Sequence, residues 1–256
     1  MKQMSALIKK EWMEQVRTGR LWLLLILFVL FGIMSPALAK MTPWMFEMMG
    51  DSLKEQGISV GIIEVTAFTS WQQYYKNSFM LLLVPAVLFS GSVTGEYQQG
   101  TLIPVLTKGV SPGKVLAAKA AVQLMLWSIC YGLAFGITWA YTAYFWDNGK
   151  VPHCLFAGFC IYLLGCWMIA LLLAGSVFLK SSMSVLLFAG GVTAVSYFIG
   201  MIPEAAEWLP TRLMSAESLL NGSTGTKEFG KAVFLTCITA VLLLIWAMEG
   251  IGRKQA

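Results

Sequence analysis

Long apolar stretches separated by short polar segments dominate the pattern of this sequence. Six of them are long enough to cross a bilayer, because ~20 apolar residues span a hydrocarbon layer of ~30 Å. Their approximate ranges are 21–38, 78–94, 115–145, 155–179, 183–202 and 232–251. Segments of this length, without strict alternation, satisfy their backbone polar groups in lipid only as helices. The pattern therefore predicts an all-α integral membrane protein with six transmembrane helices in a single domain, 1–256.

The segment before the first span, 1–20, has a different pattern. Its apolar side chains recur at every fourth position, at Met4, Ile8, Trp12 and Val16. Charged residues, among them Lys9, Lys10, Glu14 and Arg17, lie at other positions, so the spacing predicts an amphipathic elbow helix at the membrane interface. A cleaved signal peptide is the alternative, because Ala37-Leu38-Ala39 resembles a cleavage site. The helical periodicity of the preceding segment favours the elbow helix.

Composition and charge agree with a membrane protein and suggest its orientation. The chain is 57% hydrophobic and only 12% charged, whereas charged residues make up about 25% of soluble domains. With the N-terminus inside, eleven of the eighteen Lys and Arg residues lie in the shorter inner segments, and the inner side carries a net charge of +7 against −2 outside. This asymmetry predicts a plasma-membrane protein with both termini in the cytoplasm. The basic residues form no tract of the kind that binds nucleic acid.

Candidate chemistry is sparse. The chain has one histidine, His153, and five cysteines that are isolated or point in different directions on a helix. The segment Lys108–Lys114 lacks the glycine spacing of a phosphate-binding loop. We therefore predict no catalytic site, no metal and no cofactor bound by this chain. The spans also hold almost no ionisable residues, so the sequence offers no evident groups that would bind a coupling ion or proton within the membrane.

Small residues and an ordered outer segment complete the pattern. Gly132 with Gly136, and Ala170 with Ala174, are spaced one helical turn apart. Such pairs let helix backbones approach closely, within one subunit in the favoured interpretation and between subunits in the alternative. The outer segment 203–230 begins with short-helix periodicity interrupted by proline. A segment of this kind can return toward the membrane or lie at its surface.

The inner segment 95–114 carries the most distinctive pattern. Glu96, Gly100 and Thr101 form a Glu-x3-Gly-Thr-Leu motif after the second span, and Lys114 and Lys119 follow in a Lys-x4-Lys pattern. Together with the N-terminal segment ending in Arg17-Thr18-Gly19-Arg20, this motif resembles the type-2 ATP-binding-cassette (ABC) exporter permeases of bacteria. The resemblance covers nearly the whole chain in span number, loop order and length.

The resemblance implies a function and partners. A permease of this kind forms a dimer, here expected to be a homodimer, and binds a separate cytosolic ATPase subunit that supplies ATP and Mg²⁺. The elbow helix and the 95–114 coupling loop would contact that subunit, with candidate coupling residues Glu96, Gly100, Thr101, Lys108, Trp12 and Arg17. The outer segment would form an exit gate, with candidates Trp208 and Pro210. The Met-rich apolar spans favour a hydrophobic or amphipathic substrate such as a drug, peptide or lipid.

Other interpretations stay open at this point. The chain could be a membrane immunity or sensor protein that binds a peptide without ATP-driven transport, or a stand-alone secondary carrier. Co-purification with an ATPase distinguishes the permease from the first, and transport by the purified chain alone would favour the second. At the residue level, Glu96 could simply cap a helix and Gly100 could simply form a turn.

Overall fold

The structure, a computed structural model, describes residues 2–55, 65–101, 104, 107 and 109–253. All regular elements in these ranges are helical. The α-helices are α1 Lys2–Arg17, α2 Arg20–Glu55, α3 Ala67–Lys76, α4 Ser78–Ser90, α5 Thr94–Gln98, α6 Pro112–Phe145, α7 Cys154–Phe178, α8 Ser182–Ile199, α9 Pro203–Ala206, α10 Glu217–Leu220 and α11 Gly230–Arg253. Short 3-10 helices cover Asn148–Lys150, Pro210–Ala216 and Thr226–Phe229.

Six helical segments in the described part of the chain are long and apolar enough to cross a membrane. They are Arg20–Met45, Ala67–Gln98, Pro112–Phe145, Cys154–Phe178, Ser182–Ile199 and Thr226–Ile251. The predicted all-α membrane class with six spans is therefore confirmed. An even number of crossings returns the chain to the side where it started. We call that side of the bundle the α5 end, because α1, α5 and the α7–α8 connection meet there.

The central helix of the bundle is α7, which packs against α4, α6, α8 and α11. Glycines on α7 let large rings of α6 lie directly against its backbone. A Cβ atom added at Gly165 would lie 2.1 Å from the Trp127 ring, and one added at Gly158 would lie 2.4 Å from the Phe135 ring. These glycines are the close-packing positions between the two helices, in the manner of small residues in membrane helices.

The predicted packing pairs divide into two kinds. Ala170 and Ala174 on α7 are fully buried, as expected of residues packed within the chain. Gly132 and Gly136 on α6 are exposed, and a Cβ atom at either position would meet nothing within 4 Å in the described structure. The favoured interpretation, packing within one subunit, does not fit this glycine pair because α6 turns that face away from the other helices. Contact with another subunit stays a prediction for it.

The first span continues far beyond its predicted end at residue 38. Helix α2 has 36 residues, which at 1.5 Å per residue makes it about 54 Å long, and Pro36 and Pro43 do not end it. Pro36 has no N–H to donate to the carbonyl of Gly32, four residues earlier. The hydroxyl of Thr138 on α6 donates to that carbonyl instead, at 2.9 Å. A neighbouring helix thus satisfies the freed group, which is how prolines are tolerated in membrane helices.

The second span begins earlier than its predicted start at residue 78. Helix α3, which lies between the predicted first and second spans, joins α4 and α5 in one apolar unit. Its side chains Trp71, Tyr74 and Tyr75 are buried, and the first two pack edge-on or tilted against Phe135 of α6. These residues carry an indole N–H or a phenol hydroxyl, which made α3 look too polar for a span. Their rings are nevertheless packed in the interior.

The segment between α8 and α11 folds back onto the bundle at the end opposite α5. Residues Pro210, Thr211 and Leu213 of its 3-10 helix are buried, and the segment packs mainly against α7. The hydroxyl of Thr211 donates to the carbonyl of Ser196 on α8 at 3.3 Å. Trp208 stays half exposed, with the Lys231 ammonium over its ring. The segment is therefore packed on the bundle through its 3-10 helix, and its placement relative to the membrane stays a prediction.

Candidate functional site

The short helix α5 ends in a defined turn. Gly100 has a φ of +69°, a conformation that glycine adopts without strain. The N–H of Thr101 donates to the carbonyl of Glu96 at 3.1 Å, and the N–H of Gly100 donates to the carbonyl of Tyr97 at 3.2 Å. These two bonds make a Schellman motif, which terminates a helix and satisfies its last carbonyls. The predicted motif residues Gly100 and Thr101 therefore shape the start of the segment that follows α5.

A network of four charged side chains joins α5 to α1 and α6. We call Lys10, Glu11, Glu96 and Lys119 the ion cluster. The Lys119 ammonium lies 2.7 Å from Glu11 Oε2 and 3.1 Å from Glu96 Oε1. The Lys10 ammonium lies 2.6 Å from Glu96 Oε1 and 3.0 Å from Glu11 Oε1. Each carboxylate therefore contacts both ammonium groups. Removing any one member leaves each of its two partners with one opposite charge instead of two.

Most of the ion cluster is buried. The side chains of Lys119, Glu11 and Glu96 are 2%, 3% and 9% exposed, whereas that of Lys10 is 42% exposed. Burial of charge is costly unless the charges are paired and hydrogen-bonded, and two carboxylates with two ammonium groups meet that condition. Burial by itself lowers the pKa of Lys10, but the hydrogen bonds and charges of Glu96 and Glu11 outweigh it and raise the pKa.

The three nearby carboxylates could in principle hold a metal ion. Oxygens of Glu11, Glu14 and Glu96 lie within 4.8 Å of one another. The Lys10 ammonium, however, contacts all three carboxylates, with Glu14 at 3.4 Å. The cation at this place is therefore the protein's own lysine, and we assign no metal to the cluster.

Helix α5 is also tied to the connection between α7 and α8. The side-chain amide of Gln98 donates to the carbonyl of Lys180 at 2.8 Å. The hydroxyls of Thr94 and Ser182 lie 3.3 Å apart in hydrogen-bonding geometry. Polar contacts thus link α5 to three parts of the bundle: α1, α6 and the α7–α8 connection. A displacement of α5 would act on all three.

The buried face of α1 differs from the predicted apolar stripe. Ile8 and Trp12 of that stripe are only partly buried against the core. The fully buried positions are Leu7, Glu11 and Gln15, which are also spaced four residues apart. The sequence pattern does not predict the burial of Glu11 and Gln15, because the buried face of an amphipathic helix is identified from its apolar residues alone.

Lys119 offered the signal that could have revealed the ion cluster. It is an isolated lysine in the apolar run from Val115 to Val122. A charge within a membrane segment needs a partner, and Glu96 lies just before this helix in the sequence. The partner on α1, Glu11, could not be singled out, because the N-terminal segment carries several acidic and basic residues.

The other predicted coupling residues lie around the cluster. Trp12 packs partly against the core, while Arg17 and Thr101 are exposed. Lys108 falls outside the described residues. The predicted gate residues, Trp208 and Pro210, belong to the segment at the opposite end, so the structure brings no gate residue together with the coupling residues.

An apolar groove lies between α4, α7 and α8. Its volume is 640 Å³, and it is lined by Phe79, Leu83, Val87, Met168, Leu186 and Phe198 among others. Most of the α8 surface is exposed, with only 11% of the span buried. The groove thus lies on the exposed side of the single chain, and its apolar lining can contact an apolar molecule.

Comparisons with known proteins agree with this architecture. Residues 5–217 match the family model described as ABC-2 family transporter protein. The chain is similar to the uncharacterized transmembrane protein YxlG of Bacillus subtilis (strain 168), with 26% identity over 264 residues that cover 100% of both chains. No solved structure matches the chain. The range that matches the family model includes every residue of the ion cluster.

Proposed function

The chain belongs to the ABC-2 family of transporter proteins, and from this premise we propose that it is the membrane-spanning permease subunit of an ATP-driven exporter. Permeases of this family are membrane transport components that work with a cytosolic ATPase partner. The observation that carries the proposal is the ion cluster, which joins the short helix α5, at the end of the second span, to two other helices. A force applied to α5 by a partner would reach the spans through these contacts.

The proposed docking surface for the ATPase is the α5 end of the bundle. Exposed positions Arg17 and Thr101 flank the ion cluster on α1 and after α5, and Lys108 follows in the sequence. This assignment requires both termini to lie in the cytoplasm. The density of Lys and Arg in the segments at this end supports that orientation.

We further propose a homodimer that moves a hydrophobic or amphipathic substrate outward. The exposed glycines Gly132 and Gly136 could bring α6 of two copies close together, because small residues allow close helix contact. The apolar lining of the α4–α7–α8 groove supports the substrate class. We propose Trp208 and Pro210, at the end opposite α5, as exit-gate residues.

Purification from native membranes tests the proposal. The tagged full chain, extracted in mild detergent, should retain an ATPase subunit and show Mg²⁺-dependent ATP hydrolysis. A Thr101→Arg variant should lose much of this activity, because it places a bulky cation in the proposed docking surface. The control is Ser223→Arg, which puts the same side chain at an exposed position of the opposite end.

Two results would contradict the proposal. One is a chain purified with no ATPase that nevertheless transports substrate in liposomes, as expected of a stand-alone carrier. The other is equal ATPase recovery with Thr101→Arg and Ser223→Arg, which would remove the α5 end as the docking surface. Accessibility labelling of a cysteine at Thr101 in intact cells tests the orientation separately, since reaction with an impermeant reagent would place α5 outside.

A further inference from the structure

Three buried polar residues lie four positions from members of the ion cluster, two of them on α1 and α6 and one in the turn between α4 and α5, and have polar atoms without partners. Gln15 follows Glu11 by four residues on α1, Gln123 follows Lys119 by four residues on α6, and Ser92 precedes Glu96 by four residues. We call Gln15, Ser92 and Gln123 the inner polar layer. On α1 the layer lies nearer the start of the first span than the cluster does, and on α6 it lies further into the third span.

The atoms of this layer are unpartnered within the described structure. Gln15 Oε1, Ser92 Oγ and both amide atoms of Gln123 are fully buried and form no hydrogen bond with a described residue. The residues themselves are 3%, 5% and 2% exposed. Buried polar groups in proteins are satisfied by protein or by ordered water in the great majority of cases. A glutamine with both amide atoms unsatisfied inside a membrane helix therefore calls for a ligand.

The packing of α1 on α6 indicates that two members of the layer lie side by side. The Lys114 ammonium donates to Gln3 Oε1 at 3.3 Å, Leu7 packs with Val115 and Ala118, and Glu11 pairs with Lys119. This series advances along both helices in the same direction. Side chains four residues apart are neighbours on one helix face, so the next step of the series pairs Gln15 with Gln123.

The chemistry of the layer selects the ligand. The side-chain oxygens of Gln15 and Gln123 accept hydrogen bonds, the Gln123 amide nitrogen donates, and the Ser92 hydroxyl does both. A metal ion does not suit a site that presents a donor and lies one turn from the Lys119 ammonium. Water both donates and accepts, and a buried water typically makes about three hydrogen bonds to such groups.

We propose that the inner polar layer is a water-binding site, in which ordered water joins α1 and α6 and extends to Ser92. The water satisfies the two glutamines and connects them to the buried side of the ion cluster. Gln15 and Gln123 are positioning residues for this water.

The site has a consequence for coupling, which rests on the proposed function. When a partner displaces α5, the pair between Glu96 and Lys119 must lengthen or break. Water one turn away can hydrogen-bond to the separated charges, so the displacement does not leave them bare in an apolar medium. In a complex with its ATPase, Gln123→Leu is therefore expected to retain the bound ATPase but to hydrolyse ATP severalfold more slowly.

The decisive experiment is a structure of the full chain in a lipid nanodisc, determined at a resolution that shows ordered water. We expect water density within hydrogen-bonding distance of Gln15 and Gln123, and loss of that density in Gln123→Leu with Lys119 still on Glu11. Two outcomes would overturn the inference: amides bonded directly to each other or to other side chains without water, or the same water peaks in the variant.

A second measurement uses the purified chain in detergent and does not depend on the ATPase. Ser92→Cys and Val93→Cys place a thiol at two adjacent buried positions and leave both glutamines of the layer in place. Dilute hydrogen peroxide, followed by dimedone trapping and peptide mass spectrometry, should modify the first about tenfold faster, because thiolate formation needs a polar site. Equal rates would overturn the water site. If no ATPase is ever recovered with the chain, the proposed function fails, while these two measurements still decide the present inference.

Discussion

Replacing Lys119 with methionine tests the buried ion cluster directly. Methionine keeps the length and apolar stem of the side chain but removes its ammonium group. In the variant, Glu11 and Glu96 stay buried with Lys10 as their common partner, so two carboxylates share one half-exposed cation. The variant therefore leaves one buried negative charge without compensation.

The expected loss of stability follows from this imbalance. Breaking a buried ion pair by removing one partner costs about 3–5 kcal/mol. We expect the lower limit, about 3 kcal/mol, since Lys10 remains in contact with both carboxylates. For a chain of this size each kcal/mol lowers the Tm by about 2–4 °C, so the Tm should fall by roughly 6–12 °C.

The chain provides a matched control for the measurement. Lys231 and Glu207 also form an ion pair at 2.7 Å, but their side chains are 53% and 52% exposed. Exposed pairs contribute little because water screens them, so Lys231→Met should leave the Tm almost unchanged. Thermal unfolding of each variant in the same detergent, followed by circular dichroism, measures the difference between the two environments.

A double variant separates charge imbalance from loss of packing. Adding Glu11→Gln to Lys119→Met leaves Glu96 and Lys10 as a balanced pair, so the double variant should be more stable than Lys119→Met alone. The reasoning is refuted if Lys119→Met unfolds at the same temperature as Lys231→Met. It is also refuted if the two substitutions at the cluster simply add their separate losses, because coupled charges do not behave additively.

Three further predictions concern packing, the α5 turn and the exposed member of the cluster. Gly165→Ala should cost about 1–3 kcal/mol in thermal unfolding because the Trp127 ring must move, whereas Gly191→Ala, with nothing within 4 Å, should be neutral or stabilising. Gly100→Ala should lower stability by about 1–2 kcal/mol because an alanine at positive φ is strained, and a loss no larger than for Gly191→Ala would contradict the turn geometry. Lys10→Met should lower the Tm less than Lys119→Met but should increase proteolysis of the N-terminal segment, since it weakens the tie between α1 and α5; unchanged proteolysis would argue against that tie.

The sequence by itself determined the class of the protein and the number of its spans. Apolar stretches such as 155–179 can lie only in lipid or in a protein core, and their length identifies helices because the bilayer has a fixed thickness. The motif Glu96, Gly100, Thr101 also indicated the segment that follows the second span. Its glycine could be assigned to a turn from local chemistry, since few other residues adopt a positive φ.

Only the tertiary structure decided which polar residues face one another. Glu11 and Lys119 are 108 positions apart, and no local pattern specifies their contact, because the crossing of α1 on α6 depends on side chains from both helices. The same holds for α2, which continues past Pro36. The Thr138 hydroxyl of another helix donates the hydrogen bond that the proline nitrogen cannot donate to the Gly32 carbonyl. Helix length and composition are local properties written along the chain, whereas the satisfaction of buried charges and freed carbonyls depends on neighbours that only folding brings together.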